Sequence, residues 1–307
     1  MKIPAGRTLS PWPQNKQGVI ELAERWYDPE LVAVDPAAIA ALELPPIKPG
    51  ADPTMEAGKL GDIRKDIALS VALNSINYQF WDLRDSGFVR YEFEGTKGAM
   101  GMRKAFERAW ADPESPLSRA KQGIAMSESD VRAMFGDIPN VESRMHILNQ
   151  VLAPPHFEEL VNELASAVPR GIDTALARRL AETCPLAYGD ELLKKAQLAL
   201  SEVWVKAQES VPHLSCDLTA FADYQIPNVL RAMGVLRYDP NLAARIDAMT
   251  PVTSGSPEEK ALRAASILAV EKIAERAGVP VAEIDHYLWM RRNEAKTPFH
   301  LTATTDY

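Results

Sequence analysis

The amino-acid sequence predicts a mainly α-helical protein with a small β element. Three observations carry this. Apolar residues recur at three- and four-residue spacing through most of the chain, the mark of a buried helical face. Segment boundaries carry helix start and stop signals, among them Asp-Pro pairs and a Ser-x-x-Asp capping box. Strict alternation is found in one stretch, FVRYEF at 88–93, which is bracketed by Gly87 and Gly95 and reads as a small hairpin or sheet.

Taken in order, residues 1–18 are rich in proline and polar groups and read as an extended or disordered lead with no apolar run of a signal peptide. Residue 19 onward reads as one region in two lobes, about 19–135 with the β element and 136–307 helical. Short helices are expected at 19–26 and, opened by Asp35-Pro36, at 36–42. The stretch 44–54 holds Pro45, Pro46, Pro49 and Pro53 and reads as a loop. A helix over 61–81 presents Ile67, Val71, Leu73 and Ile76 and ends in the aromatic cluster Asn77-Tyr78-Gln79-Phe80-Trp81. Gly95, Gly98 and Gly101 fit neither GxGxxG nor GxxxxGK[ST] and follow an isolated strand, so they read as a turn into a helix at 102–110, stopped by Asp112-Pro113. Helices follow at 127–135, capped by Ser127 and Asp130, and at 141–151, 156–167, 172–183 and 190–208. The last helices are expected at 241–248, 258–276 and 281–292.

Composition narrows the function. A net charge of -8 argues against a chain that grips long nucleic acid, which needs many cations to displace phosphate counterions. Two cysteines, Cys184 and Cys216, lie far apart and read as reduced thiols of a cytoplasmic protein. No eighteen-residue apolar run predicts a membrane span. The five histidines form neither HxxxH nor HExxH, so no metal site is expected. Ser201 and Ser215 lack a nucleophile elbow.

What remains is carboxylates, lysines and aromatic rings, and residues 219–238, TAFADYQIPNVLRAMGVLRY, gather them. Asp223 stands between Phe221 and Tyr224, just before a helix whose first turn holds Pro227 and whose buried face is Ile226, Val229, Leu230 and Met233. Such a carboxylate either caps the helix or sits charged beside a flat apolar ligand. In the 190–208 helix, Leu192, Ala196, Ala199, Leu200 and Val203 mark the core face, and Lys194, Gln197 and Ser201 mark either a solvated face or a polar stripe entering a pocket. Asp285 lies between Ile284 and Tyr287-Leu288-Trp289, which favours partial burial.

The segment LTAFADYQIPNVLRAMGVLRYDPNL resembles the signature of the queuosine salvage family, queuosine 5′-phosphate N-glycosylases/hydrolases. INYQFW at 76–81, DIPNVESRMHIL at 137–148, LLKKAQLALSEVW at 192–204, EEKALRAASILAVEKI at 258–273, IDHYLW at 284–289 and PFHLTATTDY at 298–307 resemble further family segments in the same order. Leu301 and Ala303 depart from the pattern, standing where arginines are expected. The resemblance implies a helical fold akin to helix-hairpin-helix DNA glycosylases. It also implies cofactor-free hydrolysis of queuosine 5′-monophosphate, a small nucleotide, to queuine for tRNA modification. By position it implies Asp223 as the active-site aspartate, Lys194 as the site lysine and Asp285 as a second acid. Stacking surface would come from Phe221, Tyr224, Trp81 and Trp289. Arg263, Arg231, Arg292 and His300 are the candidates for the phosphate. Two other functions fit the same residues: a DNA base glycosylase, against which the acidic charge counts, and a helical binder of queuine or its nucleotide without turnover.

Overall fold

The computed structural model describes residues 12–47, 59–208 and 210–307. Most of the expected lead and the Pro49 and Pro53 part of the expected loop lie outside these residues. Helix α1 spans Lys16–Trp26, so the lead gives way to helix earlier than expected, because the Asn15 side chain caps it by accepting from the Gly18 N–H. Strand β1 (Val32–Val34) and helix α2 (Pro36–Ala41), capped by Asp35, follow.

Helix α3 spans Ile63–Ser75 and stops short of the aromatic cluster that the sequence places at its end. Tertiary hydrogen bonds override helical periodicity there. The guanidinium of the fully buried Arg144 donates to the carbonyls of Pro139, Tyr78 and Gln79. Gln79 takes a φ of 33° and donates its N–H to the Tyr307 carbonyl. Trp81 then opens β2 (Trp81–Arg84), which pairs with β3 (Gly87–Arg90). The expected single strand is therefore divided between two hairpins, the second formed by β4 (Glu92–Phe93) and β5 (Thr96–Lys97). Tyr91 marks the join, its N–H bonded to the Phe80 carbonyl and its hydroxyl to the Phe135 carbonyl.

The glycines after β4 are explained by geometry. Gly95 turns the hairpin at φ 78°. Gly101 lets α4 (Gly98–Ala111) rest on the hairpin: a Cβ there would stand 2.2 Å from the Thr96 carbonyl oxygen. Helices α5 (Pro116–Ala120), α6 (Glu128–Phe135), α7 (Val141–Val151), α8 (His156–Ala167), α9 (Thr174–Thr183) and α10 (Pro185–Tyr188) complete the middle of the chain. The Ser127–Asp130 capping box is formed as expected. Strand β6 (Ile172–Asp173) pairs in parallel with β7 (Cys216–Asp217).

Helix α11 (Lys194–Ala207) starts four residues later than the expected 190, after Leu193 in left-handed backbone at φ 58°. It packs most extensively on α3 and is buried on nearly every side, Leu198 alone among its residues being half-exposed. Then come α12 (Gln225–Ala232), β8 (Leu236–Tyr238), α13 (Pro240–Asp247), the long α14 (Pro257–Ala277) and α15 (Val281–Met290). Strand β8 pairs antiparallel with β1, joining the start of the described chain to its last third. The apolar core forms two clusters. One is built on α3, α4, α8 and α11, and the other on α14 with α1, α12 and α15. The segment 218–224 runs between them, Phe221 in the first cluster and Ala220 and Ala222 in the second. Among the described residues no helix is long and apolar enough to cross a membrane.

The contact between α4 and its hairpin rests on backbone, which cannot yield as a flexible side chain would. Gly101→Ala should lower stability by about 2 kcal/mol. A urea midpoint unchanged from the parent protein would show that the helix can lift off the hairpin without cost.

Candidate active site

Where the two core clusters meet, one pocket is walled by α11, α15, the 221–225 turn, the end of α3 and the first turns of α4. Its polar lining includes Lys194, Asp223, Asp285, His286, Arg103 and Glu202, and its flat apolar lining includes Tyr78, Phe221, Tyr224 and Trp289. The three groups singled out as chemical, Lys194, Asp223 and Asp285, thus reach one cavity from three elements.

Asp223 is both a cap and a pocket residue. Its Oδ1 accepts the N–H groups of Gln225 (2.6 Å) and Ile226 (3.1 Å) at the start of α12. A helix N-terminus is a favourable place for negative charge. Asp285 projects from α15, is buried, and accepts the Phe221 N–H at 2.8 Å through Oδ2. Burial, reinforced by the nearby charge of Asp223, pushes its carboxyl well above the usual carboxylate range, although the Phe221 N–H and Lys194 pull the other way. Lys194 opens α11. Its N–H donates to Asp190 at 2.9 Å, and burial pushes its ammonium below the usual lysine value against the pull of Asp223 and Asp285.

Arg263 does not line this pocket, so it is not a direct phosphate contact of this cavity. Its guanidinium forms two bonds to Asp190 (2.9 and 2.6 Å), donates to the Ala222 carbonyl at 3.0 Å, lies 3.6 Å from Glu259, and sits over the Tyr307 ring. It fixes the residue before Asp223 and the residue that holds the Lys194 N–H. His300 is buried away from the pocket beside Tyr307, and burial together with Arg263 pushes it down to about 3, so it stays neutral. Trp81 packs with Tyr224, Leu301 and Tyr307 outside the pocket wall. Arg231 is bound to Asp247 by two hydrogen bonds. Arg292 does line the pocket, with its guanidinium 3.4 Å from the Trp289 ring centre.

The polar stripe on α11 is buried rather than solvated. Gln197 binds Thr219 through both its amide oxygen and nitrogen, and Ser201 meets His286 Nε2 at 3.2 Å, so the stripe holds the 218–224 segment and α15 in place. The pocket face of α11 is instead Lys194, Leu198 and Glu202, at four-residue spacing. Sequence reading passed over Glu202, Arg103, Arg90 and Lys97. The helical spacing from Lys194 is a signal for Glu202; Arg90, Lys97 and Arg103 arrive by the folding of the hairpins and α4 and carry no local mark.

Residues 62–307 match the family model of the queuosine salvage protein. The chain belongs to the queuosine salvage family. Curated proteins named queuosine 5′-phosphate N-glycosylase/hydrolase are similar to it along much of their length. The Sphaerobacter thermophilus protein is 29% identical, with 94% of this chain and 95% of the relative aligned. The Mus musculus protein is 26% identical over 76% of this chain and 80% of its own, and the Dictyostelium discoideum protein 25% identical over 77% of each. The matched family region contains every residue of the pocket wall.

The raised Asp285 carboxyl makes a pH test possible. Because its proton is held more tightly in the folded chain than in the unfolded one, its contribution to stability is fully present below about 3.8 and is lost as pH rises through the raised value. Asp285→Asn removes that loss. Denaturant midpoints followed from about pH 4 to about pH 8 should move in favour of the variant relative to the parent as pH rises. A difference that stays constant with pH would contradict the raised carboxyl.

Proposed function

We propose that this chain hydrolyses the N-glycosidic bond of queuosine 5′-monophosphate, giving queuine and ribose 5-phosphate. The observation that carries the reading is the convergence of Asp223, Asp285 and Lys194 on one aromatic-walled pocket in a member of this family. In the reaction the bond from ribose C1′ to the base nitrogen breaks, water supplies a hydroxyl to C1′, and its proton ends on the base. Positive charge builds on the ribose as negative charge builds on the base.

Asp223 faces the first of these charges. An ionised carboxylate beside C1′ stabilises the ribosyl cation and orients or deprotonates the attacking water. A 7-deazaguanine has carbon in place of N7, so departure of the base cannot be assisted by protonation there. Asp285 is suited to help at another edge. Burial favours the protonated form of this carboxyl, and a protonated carboxyl donates a hydrogen bond to the departing base. Lys194 balances the charge of Asp223 and holds it in place. Phe221, Tyr224 and Trp289 offer surface on which the base can stack. Arg90, Lys97 and Arg292 bring positive charge to the wall for the phosphate.

Asp223→Asn is the decisive substitution, because asparagine keeps the cap that the structure assigns to this side chain. The variant should melt like the parent and release queuine from queuosine 5′-monophosphate on the order of a hundredfold more slowly, followed by chromatography of the freed base. Near-parental turnover would remove Asp223 from the chemistry. No release of base by the parent protein, with tight binding retained, would make it a binder rather than an enzyme. Lys194→Met should also slow turnover by about tenfold or more with KM changed less than kcat, as expected for a group that acts in the transition state.

A further inference from the structure

Glu202 is 1% exposed and stands on the wall of the same pocket, two helical turns along α11 from Lys194. One of its carboxylate oxygens, Oε1, is held by Arg103, which is itself buried and also reaches Glu107 at 3.4 Å. The other oxygen, Oε2, is buried and accepts no hydrogen bond. As a counter-ion for Arg103 alone, Glu202 needs a single oxygen. Leaving the second dry and unbonded costs a charged acceptor its desolvation with nothing in return. The neighbouring cations do not meet it: the Lys206 ammonium is bonded to Ser70 Oγ at 3.3 Å, and the guanidinium of Arg103 is on Oε1.

The position of this oxygen matters as much as its want of a partner. Eight residues of helix separate Glu202 from Lys194, a rise of about 12 Å. Asp223 and Asp285 lie close enough to Lys194 to act on its charge, Arg103 of α4 holds Glu202, and all five line the pocket. A ligand whose glycosidic bond lies by Lys194 extends its distal substituent toward Glu202. We infer that Glu202 is a specificity residue that receives the substituent on C7 of the base, accepting through Oε2 from its secondary ammonium or from a hydroxyl of its dihydroxylated ring. Arg103 holds the carboxylate in place. This inference rests on the proposed function, since it takes queuosine 5′-monophosphate as the substrate and Lys194 as marking the bond-breaking end.

The test compares two nucleotides, queuosine 5′-monophosphate and 7-deazaguanosine 5′-monophosphate, which lacks the substituent. The parent protein should favour the first in kcat/KM by about tenfold to a hundredfold, the scale of one hydrogen bond to a buried charge. Glu202→Gln should bring that ratio close to one; the ratio is the readout because a purely structural loss would lower both rates alike and leave it standing. A ratio unchanged in the variant overturns the inference. Because the substitution takes from Arg103 its buried counter-ion and leaves it Glu107 alone, binding of the free bases to the parent protein supplies a second measurement. Queuine should bind more tightly than 7-deazaguanine by a similar factor, and equal affinities would overturn the inference whether or not the variant folds. Failure of the parent to cleave either nucleotide would instead count against the proposed reaction, and the two base affinities would still decide whether Glu202 reads the substituent.

Discussion

The pair between Arg263 and Asp190 is the interaction on which the site depends. Both side chains are almost wholly buried, and two charge-assisted bonds join them. Each also reaches a pocket element. Asp190 takes the N–H of Lys194 at the start of α11, and Arg263 takes the carbonyl of Ala222 beside Asp223. One pair therefore ties α14, α11 and the 218–224 segment together, and these elements carry the lysine and the acid of the pocket. A buried pair of this kind adds little net stability against a well-packed apolar alternative, but removing one partner strands the other and costs about 3–5 kcal/mol. Its value lies in fixing geometry, and that is what a site built from three distant segments needs.

Helix α11 meets the same problem along its whole length. Four of its charged groups, Lys194, Lys195, Glu202 and Lys206, are buried, and each is met differently. Lys195 donates to the Ser75 carbonyl at 2.8 Å and lies over the Tyr78 ring, with burial pushing it down to about 7. Lys206 donates to Ser70, and Glu202 is paired with Arg103. A helix enclosed in this way places charge in a medium where electrostatic interactions are stronger than in water. The same enclosure separates the two acids: Asp223 has two N–H donors at a helix end, whereas Asp285 has one and faces the charge of Asp223.

What was legible in the sequence was what local chemistry determines. Asp223 between two aromatic residues and ahead of an amphipathic helix is a short-range pattern, and the helix begins within two residues of it. The helical class and most boundaries followed from periodicity and caps. Apart from the Asn15 cap that starts α1 early, the main losses were non-local. Strands β1 and β8 are three residues each and find each other across some two hundred residues of chain, so neither carries a period to read. The α3 helix was extended too far because Arg144, from α7, claims the carbonyls that follow it. Arg263 was read as a phosphate candidate because its partner Asp190 lies seventy-three positions away, beyond any local spacing. Lysines on a helix are usually solvated, and nothing within α11 announces that α3 will cover them.

The C-terminal residues show why the two departures from the family pattern are compatible with a working pocket. The tail returns across the site: Tyr307 lines the pocket, donates its hydroxyl to Glu259 at 2.8 Å and offers its carbonyl to the Gln79 N–H, while the Thr304 N–H meets Gln79 Oε1. Leu301 is buried in the aromatic cluster of Trp81, Tyr224 and Tyr307, where its apolar side chain is part of what holds Tyr224 at the pocket wall. A guanidinium at that position would need a buried acid as partner, and the nearby candidate, Glu259, is already bonded to Tyr307 and close to Arg263. Ala303 lines a separate cavity of about 830 Å³ that Asp223 does not line. Neither position lines the pocket, whose wall carries positive charge on Arg90 and Lys97 of the hairpins and on Arg292 after α15. The tail contributes shape and the hairpins contribute charge, which leaves residues 301 and 303 free to be apolar.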